Sequence, residues 1–477
     1  MALLYRKWAK SGVPVLVTAF ICILVSAASV CAKPTKSAET YQGLKLFSDV
    51  LEEIEKNYVE EVETKKLIEE AIHGMVDSLD PHSSFLPPEA YKALQTETKG
   101  EFGGIGIVIT KRDGRLTVIS PIEGTPAYKA GVQAQDVIVK IGDKRTKDLK
   151  LWEAVDMMRG EAGTEVKISI YREGESDLLD FTLERAIIPM ESVRYLTLKP
   201  GYGYLWITNF RENTASDVEE ALKSLEKENP DFKGLIVDLR DNPGGLLEQA
   251  VKVADIFLQK GKIVSIKSRE QEETEDYSAH SGGAKHSYPV VVLINGGSAS
   301  AAEIVAGALQ DNERALILGT TSFGKGSVQT VKPLREGYAL KYTIARYYTP
   351  SGRSIQAEGI APDLVVKRRI LDNSSNTGID ANLIKEEDLE NHLEPQDIPP
   401  EKSVEPQDSD PGKDEKGRKE EKPGASRKEA AEKLMRLRDA VYKHSDSDPK
   451  ALLLDSQINR AYELLHGFQI FQGFSRN

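Results

Sequence analysis

The chain has 477 residues, 40% of them hydrophobic, which is enough for two or three domains with cores of their own. Its net charge of −12 argues against a nucleic-acid partner, because phosphate binding requires a basic surface. The only cysteines, Cys22 and Cys31, lie in an N-terminal apolar segment, and the seven histidines show no metal-ligand spacing. Cysteine catalysis, a disulfide framework and a metal site therefore have no support, and we expect no cofactor.

Residues 1–32 have the pattern of a signal peptide or a membrane anchor. Arg6, Lys7 and Lys10 precede an uncharged run at 11–32. The run suits cleavage after Ala32, and it is also just long enough to span a bilayer and to be retained. Either outcome predicts a periplasmic or other extracytoplasmic location for the rest of the chain. Retention of the segment would add membrane association, at the inner membrane.

Apolar residues recur at helical spacing between positions 41 and 94. They predict two or three amphipathic helices in an N-terminal helical region at 40–95. Prolines in the stretch 79–88, Leu-Asp-Pro-His-Ser-Ser-Phe-Leu-Pro-Pro, interrupt this pattern. We interpret His82 in that stretch as a turn residue.

Residues 96–186 resemble a PDZ domain, a β-rich fold with two helices. The resemblance rests on a glycine-rich entry into a strand, a helix–turn–strand pattern at 124–143 and a second helix at 152–158. In such a domain the bare amides receive a terminal carboxylate, and the strand edge pairs with the peptide backbone. The candidate peptide-binding residues are Gly103, Gly104, Ile105, Gly106 and Ile107. The two isoleucines suggest a preference for apolar peptide ends; taken alone, the stretch is equally explained as a β-bulge.

Strands and helices alternate in residues 187–370, which predicts an α/β sandwich. Strands are expected at 203–208 and 234–239, and helices at 214–227 and 246–258. The turn at 238–245, Asp-Leu-Arg-Asp-Asn-Pro-Gly-Gly, follows the carboxyl end of a buried strand, where open α/β sheets build their sites. We interpret its charged residues, Asp238, Arg240 and Asp241, as a structural cluster.

The stretch at 289–329 predicts a buried strand at 290–294, a sharp Asn-Gly-Gly turn and an Ala-rich helix from Ala299 onward. Ser298 or Ser300 therefore lies where a strand turns into a helix. Unpaired amides and the helix dipole favour negative charge there, which suits a nucleophilic oxygen and the oxyanion that it creates. Taken alone, the same turn is also explained by serines that cap the helix.

A serine nucleophile needs a base, and the sequence offers Lys325 between two glycines. To act at neutral pH, the pKa of this lysine must fall from about 10.4 to roughly 7 to 8, which costs about 3 to 5 kcal/mol and requires a dry pocket. Gln329 lies four positions further along an extended segment. Its side chain is therefore expected on the same face, where it can hold the amine by a hydrogen bond.

Residues 295–304 and 323–329 together resemble the carboxy-terminal processing, or tail-specific, proteases, which are serine peptidases with a Ser–Lys dyad. The resemblance implies that Ser300 is the nucleophile, that Lys325 is the general base and that Gln329 orients the lysine. The other serine of the turn matches a non-catalytic position.

The same resemblance covers residues 44–366, including the stretch 79–88. It implies that one oxyanion donor is the backbone amide of Gly244 or Gly245 and that the other is the amide of Ala301. One such donor is worth about 3 kcal/mol of transition-state stabilisation.

Other interpretations remain open beside this one. Residues 319–326 fit a phosphate-binding loop until Gly326 replaces the Ser or Thr that holds magnesium, so nucleotide binding is not expected. A Ser–His–Asp triad would have to use His280 or His286, which lie in a polar insertion. A non-catalytic PDZ scaffold on a protease-like core is the remaining alternative.

Residues 371–428 contain no aromatic residue, and acidic residues outnumber basic ones, so a disordered acidic linker is predicted. Helical periodicity returns at 429–477. These C-terminal helices are expected to pack on another subunit, on the N-terminal helices or on their own domain, and the terminal helices together predict a homo-oligomer.

The sequence therefore predicts an exported serine endopeptidase of α/β multidomain architecture. The PDZ domain is expected to bind the C-terminal tails of protein substrates, with or without an adaptor protein that delivers them.

Overall fold

The computed structural model describes residues 36–112, 114–122, 124–269, 274–280, 286–371, 385–395 and 449–475. The chain divides into two compact units, Met1–Met75 and Val76–Asn477. The predicted export segment lies outside the described residues. Among the helices that are described, none combines the length and the apolar character needed to cross a membrane.

The described part of the first unit is helical, as its periodicity predicts. Helix α1 covers Lys36–Asn57, and helix α2, Thr64–Asp77, begins in this unit. Tyr41, Leu44 and Leu46 on α1 are between 64% and 71% exposed.

The second unit contains the remaining described elements. Its helices are α3 Pro88–Lys99, α4 Pro126–Lys129, α5 Leu151–Met158, α6 Thr214–Glu228, α7 Leu247–Phe257, α8 Ala301–Asp311 and α9 Ser456–Ser475. Its strands are β1 Ser84–Leu86, β2 Glu101–Gly104, β3 Ile107–Arg112, β4 Arg115–Pro121, β5 Val137–Ile141, β6 Lys144–Arg145, β7 Glu165–Tyr171, β8 Leu179–Glu184, β9 Ala186–Pro189, β10 Val193–Lys199, β11 Tyr202–Ile207, β12 Gly234–Asp238, β13 Lys262–Ser268, β14 Thr274–Ser278, β15 Val290–Ile294, β16 Ala315–Gly319, β17 Ser327–Pro333, β18 Ala339–Tyr348 and β19 Leu364–Val365.

The PDZ region is built on an antiparallel sheet with the strand order β3-β4-β5-β7-β8, with β6 paired to β5. A core of alternating apolar residues, including Val118, Ile138 and Ile168, lies beneath it. Strand β3 is at the end of this order and pairs with β4 alone among the described strands. Its other edge is therefore open to a further strand.

The protease-like region is organised around a six-stranded sheet with the order β10-β11-β12-β15-β16-β19. All its neighbouring pairs are parallel except β10 with β11. Strands β12 and β15 are buried along their whole length because both faces of the sheet are covered, and their residues are apolar except for Asp238 at the end of β12. Val237 and Val292 belong to a core with helices α6, α7 and α8, which also contacts the second sheet, β1-β18-β13-β14 with β17.

The C-terminal helix α9 covers the opposite face of the six-stranded sheet. Ile458 and Leu465 of α9 pack against Ile236 and Leu293 in a separate apolar core. Of the three partners left open by the sequence, the described part of this helix therefore uses its own domain. The rest of the predicted C-terminal region, up to residue 448, lies outside the described residues.

A buried ion cluster ties the start of α9 to the turn after β12. Arg240 is fully buried, and its guanidinium lies 2.6 Å from Asp238 and 2.9 Å from Asp455. Arg368 contacts the same Asp455 carboxylate at 2.9 Å. The predicted charge cluster is thus present, and the C-terminal segment supplies a partner that the sequence did not reveal.

The stretch 371–428, predicted to be a disordered acidic linker, contains one described segment. Residues 385–395 include a short 3-10 helix at Glu386–Asp388 whose first residue is buried. Composition averages over the whole stretch and does not record a buried contact made by a single residue. Residues 372–384 and 396–448 lie outside the described residues.

Candidate active site

The candidate catalytic residues lie in loops that follow three neighbouring parallel strands, all at the carboxyl end of the sheet. Strand β12 leads into residues 238–245, the oxyanion turn; β15 leads into 295–300, the serine turn; and β16 leads into 320–326, the lysine loop. The register pairs Asp238 with Leu293, and Ile294 with Gly319. The three loops therefore begin side by side at the carboxyl ends of their strands, where α/β sheets place their sites.

Ser300 occupies a strained position at the start of α8, with φ 55° and ψ −114°. Such backbone conformations cost about 1 to 3 kcal/mol in a non-glycine residue and persist only where the surroundings impose them. Gly244 of the oxyanion turn packs directly against Ser300, because a Cβ on Gly244 would lie only 2.8 Å from the Ser300 Cβ. The close approach therefore requires glycine at 244.

The other serine of the turn has a structural role. Ser298 is fully buried; its hydroxyl donates to the Leu239 carbonyl at 2.7 Å and accepts the Asn295 amide at 3.0 Å. Ser300 is only partly buried. Of the two serines, Ser300 is therefore the one that a substrate can reach.

Glu303 joins the serine turn to the lysine loop. One oxygen of its buried carboxylate accepts the amides of Ser300 at 2.7 Å and Lys325 at 2.9 Å. The other accepts the Ser322 hydroxyl at 2.5 Å and the Gly324 amide at 2.7 Å. Because both amides bond the same oxygen, the backbone nitrogens of Ser300 and Lys325 lie close together.

Sequence reasoning missed Glu303, although a signal was present. Serine followed three residues later by glutamate is the spacing of a helix capping box, in which the glutamate reaches back to the first amide. Burial raises the pKa of Glu303 to about 7, against the lowering effect of its four donors.

The Lys325 side chain has the environment that a lysine base requires. Burial, together with the positive charge of Lys341, lowers its pKa to about 8. Three carboxylates, Glu386, Glu303 and Asp80, act in the opposite direction. A substantial fraction of this amine is therefore neutral near pH 8.

Tyr347 is a second residue of the site that the sequence did not reveal. Its buried hydroxyl donates to the Lys325 carbonyl, and the Ser300 side chain is near enough to act on the pKa of the same hydroxyl, which it lowers. Burial raises the pKa of Tyr347 well above its usual value, so it remains a neutral donor. It comes from β18, and no local pattern in the sequence connects it with the serine turn.

The predicted contact between Gln329 and the lysine amine is not among the hydrogen bonds of the described residues. The Gln329 amide nitrogen donates instead to the hydroxyls of Ser327 at 2.9 Å and Thr343 at 3.3 Å. The β17–β18 register shifts between Val328 and Gln329. This irregularity breaks the alternation on which the shared-face prediction rested.

The candidate oxyanion donors lie beside Ser300. Ala301 is the first residue of α8, so its amide has no acceptor within the helix. A Cβ on Gly244 would come within 3.0 Å of the Ala301 nitrogen, which places the oxyanion turn against this amide. The Gly244 amide donates to the Asn242 side chain at 2.8 Å, whereas Gly245 adopts φ 140°, which favours glycine.

The two histidines considered for a triad, and His82, each contact a carboxylate. His82 contacts Glu386, His280 contacts Asp255, and His286 contacts Glu226. No group of three or more potential metal ligands occurs within the described part of the chain.

The candidate peptide-binding residues of the PDZ domain surround the start of β3. Gly103 and Gly104 end strand β2, Gly106 adopts φ 76°, and Ile107 begins the open-edged strand. Ile105 is only 2% exposed and belongs to the domain core. The other isoleucine, Ile107, is only partly buried, and the preference for apolar peptide ends stays a prediction.

Three sequence families match the chain. Residues 201–366 match Peptidase family S41, residues 103–183 match the PDZ domain, and residues 23–90 match the N-terminal domain of the activating protease CtpB.

Similar proteins carry related names. The carboxy-terminal-processing protease of Bartonella bacilliformis is 48% identical over 74% of this chain and 81% of its own length. The carboxy-terminal processing protease CtpA of Bacillus subtilis is 38% identical over 69% of this chain and 70% of its own length. A solved photosystem II D1 C-terminal processing protease is 32% identical, covering 67% of this chain and 92% of its own, with a TM-score of 0.39.

The assignment rests on the sequence relatives, because they are long and more than 30% identical. It agrees with a partly buried lysine of lowered pKa, with a serine at a strand–turn–helix junction, and with a PDZ sheet that has one open edge among the described strands. The chain belongs to peptidase family S41, the carboxy-terminal processing proteases, and is a serine-type peptidase with a PDZ domain.

Proposed function

We propose that this protease is exported, binds the C-terminal tails of protein substrates through its PDZ domain and cleaves them with a Ser300–Lys325 dyad. The observation that carries the dyad is the Glu303 carboxylate oxygen shared by the Ser300 and Lys325 amides. It supports the proposal because this shared contact keeps the backbone of Ser300, whose hydroxyl is accessible, next to the backbone of Lys325, whose amine has a lowered pKa.

In the proposed mechanism the Ser300 Oγ attacks the scissile carbonyl while the Lys325 amine takes the hydroxyl proton. The amides of Ala301 and of Gly244 or Gly245 receive the oxyanion. The carbon–nitrogen bond then breaks, and Lys325 delivers the proton to the leaving amine. Water, deprotonated by the same amine, hydrolyses the acyl-enzyme and restores the serine.

The test compares the wild-type chain with Ser300→Ala and Lys325→Ala in casein cleavage. We expect both variants to lose at least about a thousandfold in kcat/KM, because each removes one half of the dyad. Lys332→Ala, which removes an exposed lysine from strand β17, is the matched control and should retain full activity. Equal activity in all four proteins would exclude the dyad.

The wild-type chain and these variants also test the two other functions considered from the sequence, a non-catalytic scaffold and a nucleotide-binding protein. A non-catalytic PDZ scaffold predicts no cleavage by the wild type and no labelling of Ser300 by a fluorophosphonate. A nucleotide-binding protein predicts ATP binding to the lysine loop, and we expect none, because Gly326 supplies no hydroxyl for magnesium.

Export, oligomerisation and an adaptor are parts of the proposal with separate tests. Fractionation with N-terminal sequencing decides whether residues 1–32 are removed or retained as an anchor in the inner membrane. Light scattering of the purified chain measures whether it is a homo-oligomer. Substrates and adaptors that copurify with Ser300→Ala identify what the PDZ domain binds.

A further inference from the structure

The described segment at 385–395 contacts the lysine loop on the side before the lysine. Glu386, the first residue of its 3-10 helix, donates its amide to the Phe323 carbonyl at 3.2 Å. The Glu386 side chain is fully buried. An acidic residue from a stretch that composition alone assigns to a linker is therefore inserted next to Lys325.

The Glu386 carboxylate also reaches the loop on the side after the lysine. It accepts a hydrogen bond from the Gln356 side-chain nitrogen Nε2 at 2.9 Å, and the Gln356 side-chain oxygen Oε1 accepts the Gly326 amide at 3.0 Å. Gln356 is fully buried as well. Through its own amide and through Gln356, Glu386 thus holds the backbone at both ends of the Phe-Gly-Lys-Gly run.

A third contact fixes the carboxylate itself. The His82 Nε2 atom lies 2.8 Å and 2.9 Å from its two oxygens. Burial raises the pKa of Glu386, but the bonds from His82 and Gln356 and the charges of His82 and Lys325 outweigh this effect and lower it. Glu386 is therefore an ionised carboxylate at neutral pH, buried within the electrostatic reach of the Lys325 amine.

We propose that Glu386 is a positioning residue for the Ser300–Lys325 dyad. Its amide and its carboxylate together form a clasp that holds the lysine loop, and its charge sets the proton affinity of the lysine. The proposal rests on the proposed dyad chemistry. It assigns a role in catalysis to a residue outside 201–366, the part of the chain that matches peptidase family S41.

The charge part of the proposal has a defined sign. Lys325 is faced by Lys341 from β18, by Glu303 from α8, by Asp80 from the loop before β1 and by Glu386. Because Glu386 favours the ammonium form, its neutralisation in Glu386→Gln lowers the pKa of Lys325. We expect the acid limb of the kcat/KM profile to move to lower pH by on the order of 0.5 to 1 pH unit. Glutamine keeps an acceptor for Gln356, so the loop should remain in place.

The clasp part is tested by Glu386→Ala, which removes the side-chain anchor as well as the charge. We expect the plateau kcat to fall at least about tenfold, since small displacements of a catalytic group are costly. Glu387→Gln is the matched control, because it removes the same charge from the neighbouring exposed position. It should leave both the acid limb and the plateau as in the wild type.

The outcomes separate the clasp from the dyad. The proposal is supported if the acid limb of the kcat/KM profile moves in Glu386→Gln, if the plateau kcat that Glu386→Ala loses is kept in Glu386→Gln, and if Glu387→Gln changes neither. A wild-type limb in Glu386→Gln, or activity that falls only in proportion to the unfolded fraction measured by circular dichroism, overturns it. If Ser300→Ala is inactive in the same assay while the Glu386 variants behave as wild type, the clasp alone is wrong; an active Ser300→Ala removes the dyad instead.

Discussion

At the scale of single residues, the site depends on a lysine whose surroundings oppose its charge. Burial and Lys341 lower the pKa of Lys325 to about 8, while three carboxylates limit the shift. The pKa of Glu303, which accepts the backbone amides of Ser300 and Lys325, is raised to about 7. Two groups with unlike charges therefore titrate within the same pH range, close to where the enzyme must operate.

These values predict an acid limb in the pH dependence of kcat/KM. In the proposed dyad the neutral amine is the active form, so the rate should fall about tenfold per unit as pH decreases below about 8. Below about 7, protonation of Glu303 should steepen the limb, because the carboxylate that accepts four donors is lost. Initial rates with an uncharged peptide between pH 5.5 and 9.5 measure this. A profile that is flat from pH 6 to 9 would contradict a lysine base.

At the scale of secondary-structure elements, the C-terminal helix α9 stabilises the oxyanion turn at the carboxyl end of the sheet. Asp455 immediately precedes α9 and bonds Arg240 in the oxyanion turn. A buried ion pair that loses one partner leaves an uncompensated charge, which commonly costs 3 to 5 kcal/mol. Helix α9 therefore contributes to the geometry of the site, even though it lies on the far face of the sheet.

The substitution Asp455→Asn tests this link between α9 and the oxyanion turn. We expect the free energy of unfolding to fall by about 3 to 5 kcal/mol and kcat to fall with it, since Arg240 and Arg368 lose the carboxylate that they share. Glu463→Gln, at an exposed position of the same helix, should change stability by no more than about 0.5 kcal/mol. Urea unfolding and peptide kinetics measure both quantities, and a fully active, equally stable Asp455→Asn would show that the cluster does not support the turn.

The elements that the sequence predicted well are those that a local pattern defines. Strand β15 has the expected bounds, and the helix after it begins two residues later than its alanine run suggested. The residues that were missed, such as Tyr347, Glu386 and Asp455, act through contacts with partners distant in the sequence. Their roles follow from the packing of sheets and helices, which no local periodicity records.

At the scale of the whole molecule, the open edge of the PDZ sheet is a candidate entrance for substrates. Strand β3 pairs on one side only among the described strands, and a positive-φ glycine, Gly106, directly precedes it. A peptide added to this edge gains main-chain hydrogen bonds, and exposed amides at its end can receive a carboxylate. Tail recognition of this kind depends on the charge of the last residue of the substrate.

We therefore predict that the chain distinguishes a free C-terminus from a blocked one. A peptide with an apolar last residue and a free carboxylate should bind the Ser300→Ala protein at least about tenfold more tightly than the same peptide with a terminal amide, which corresponds to about 1.4 kcal/mol. Fluorescence polarisation with the inactive protein measures binding without cleavage. Matched affinities for the two peptides would mean that the carboxylate is not received at the start of β3. In that case the tail would have to be recognised by main-chain pairing along the strand alone, and its affinity would be insensitive to the terminal charge.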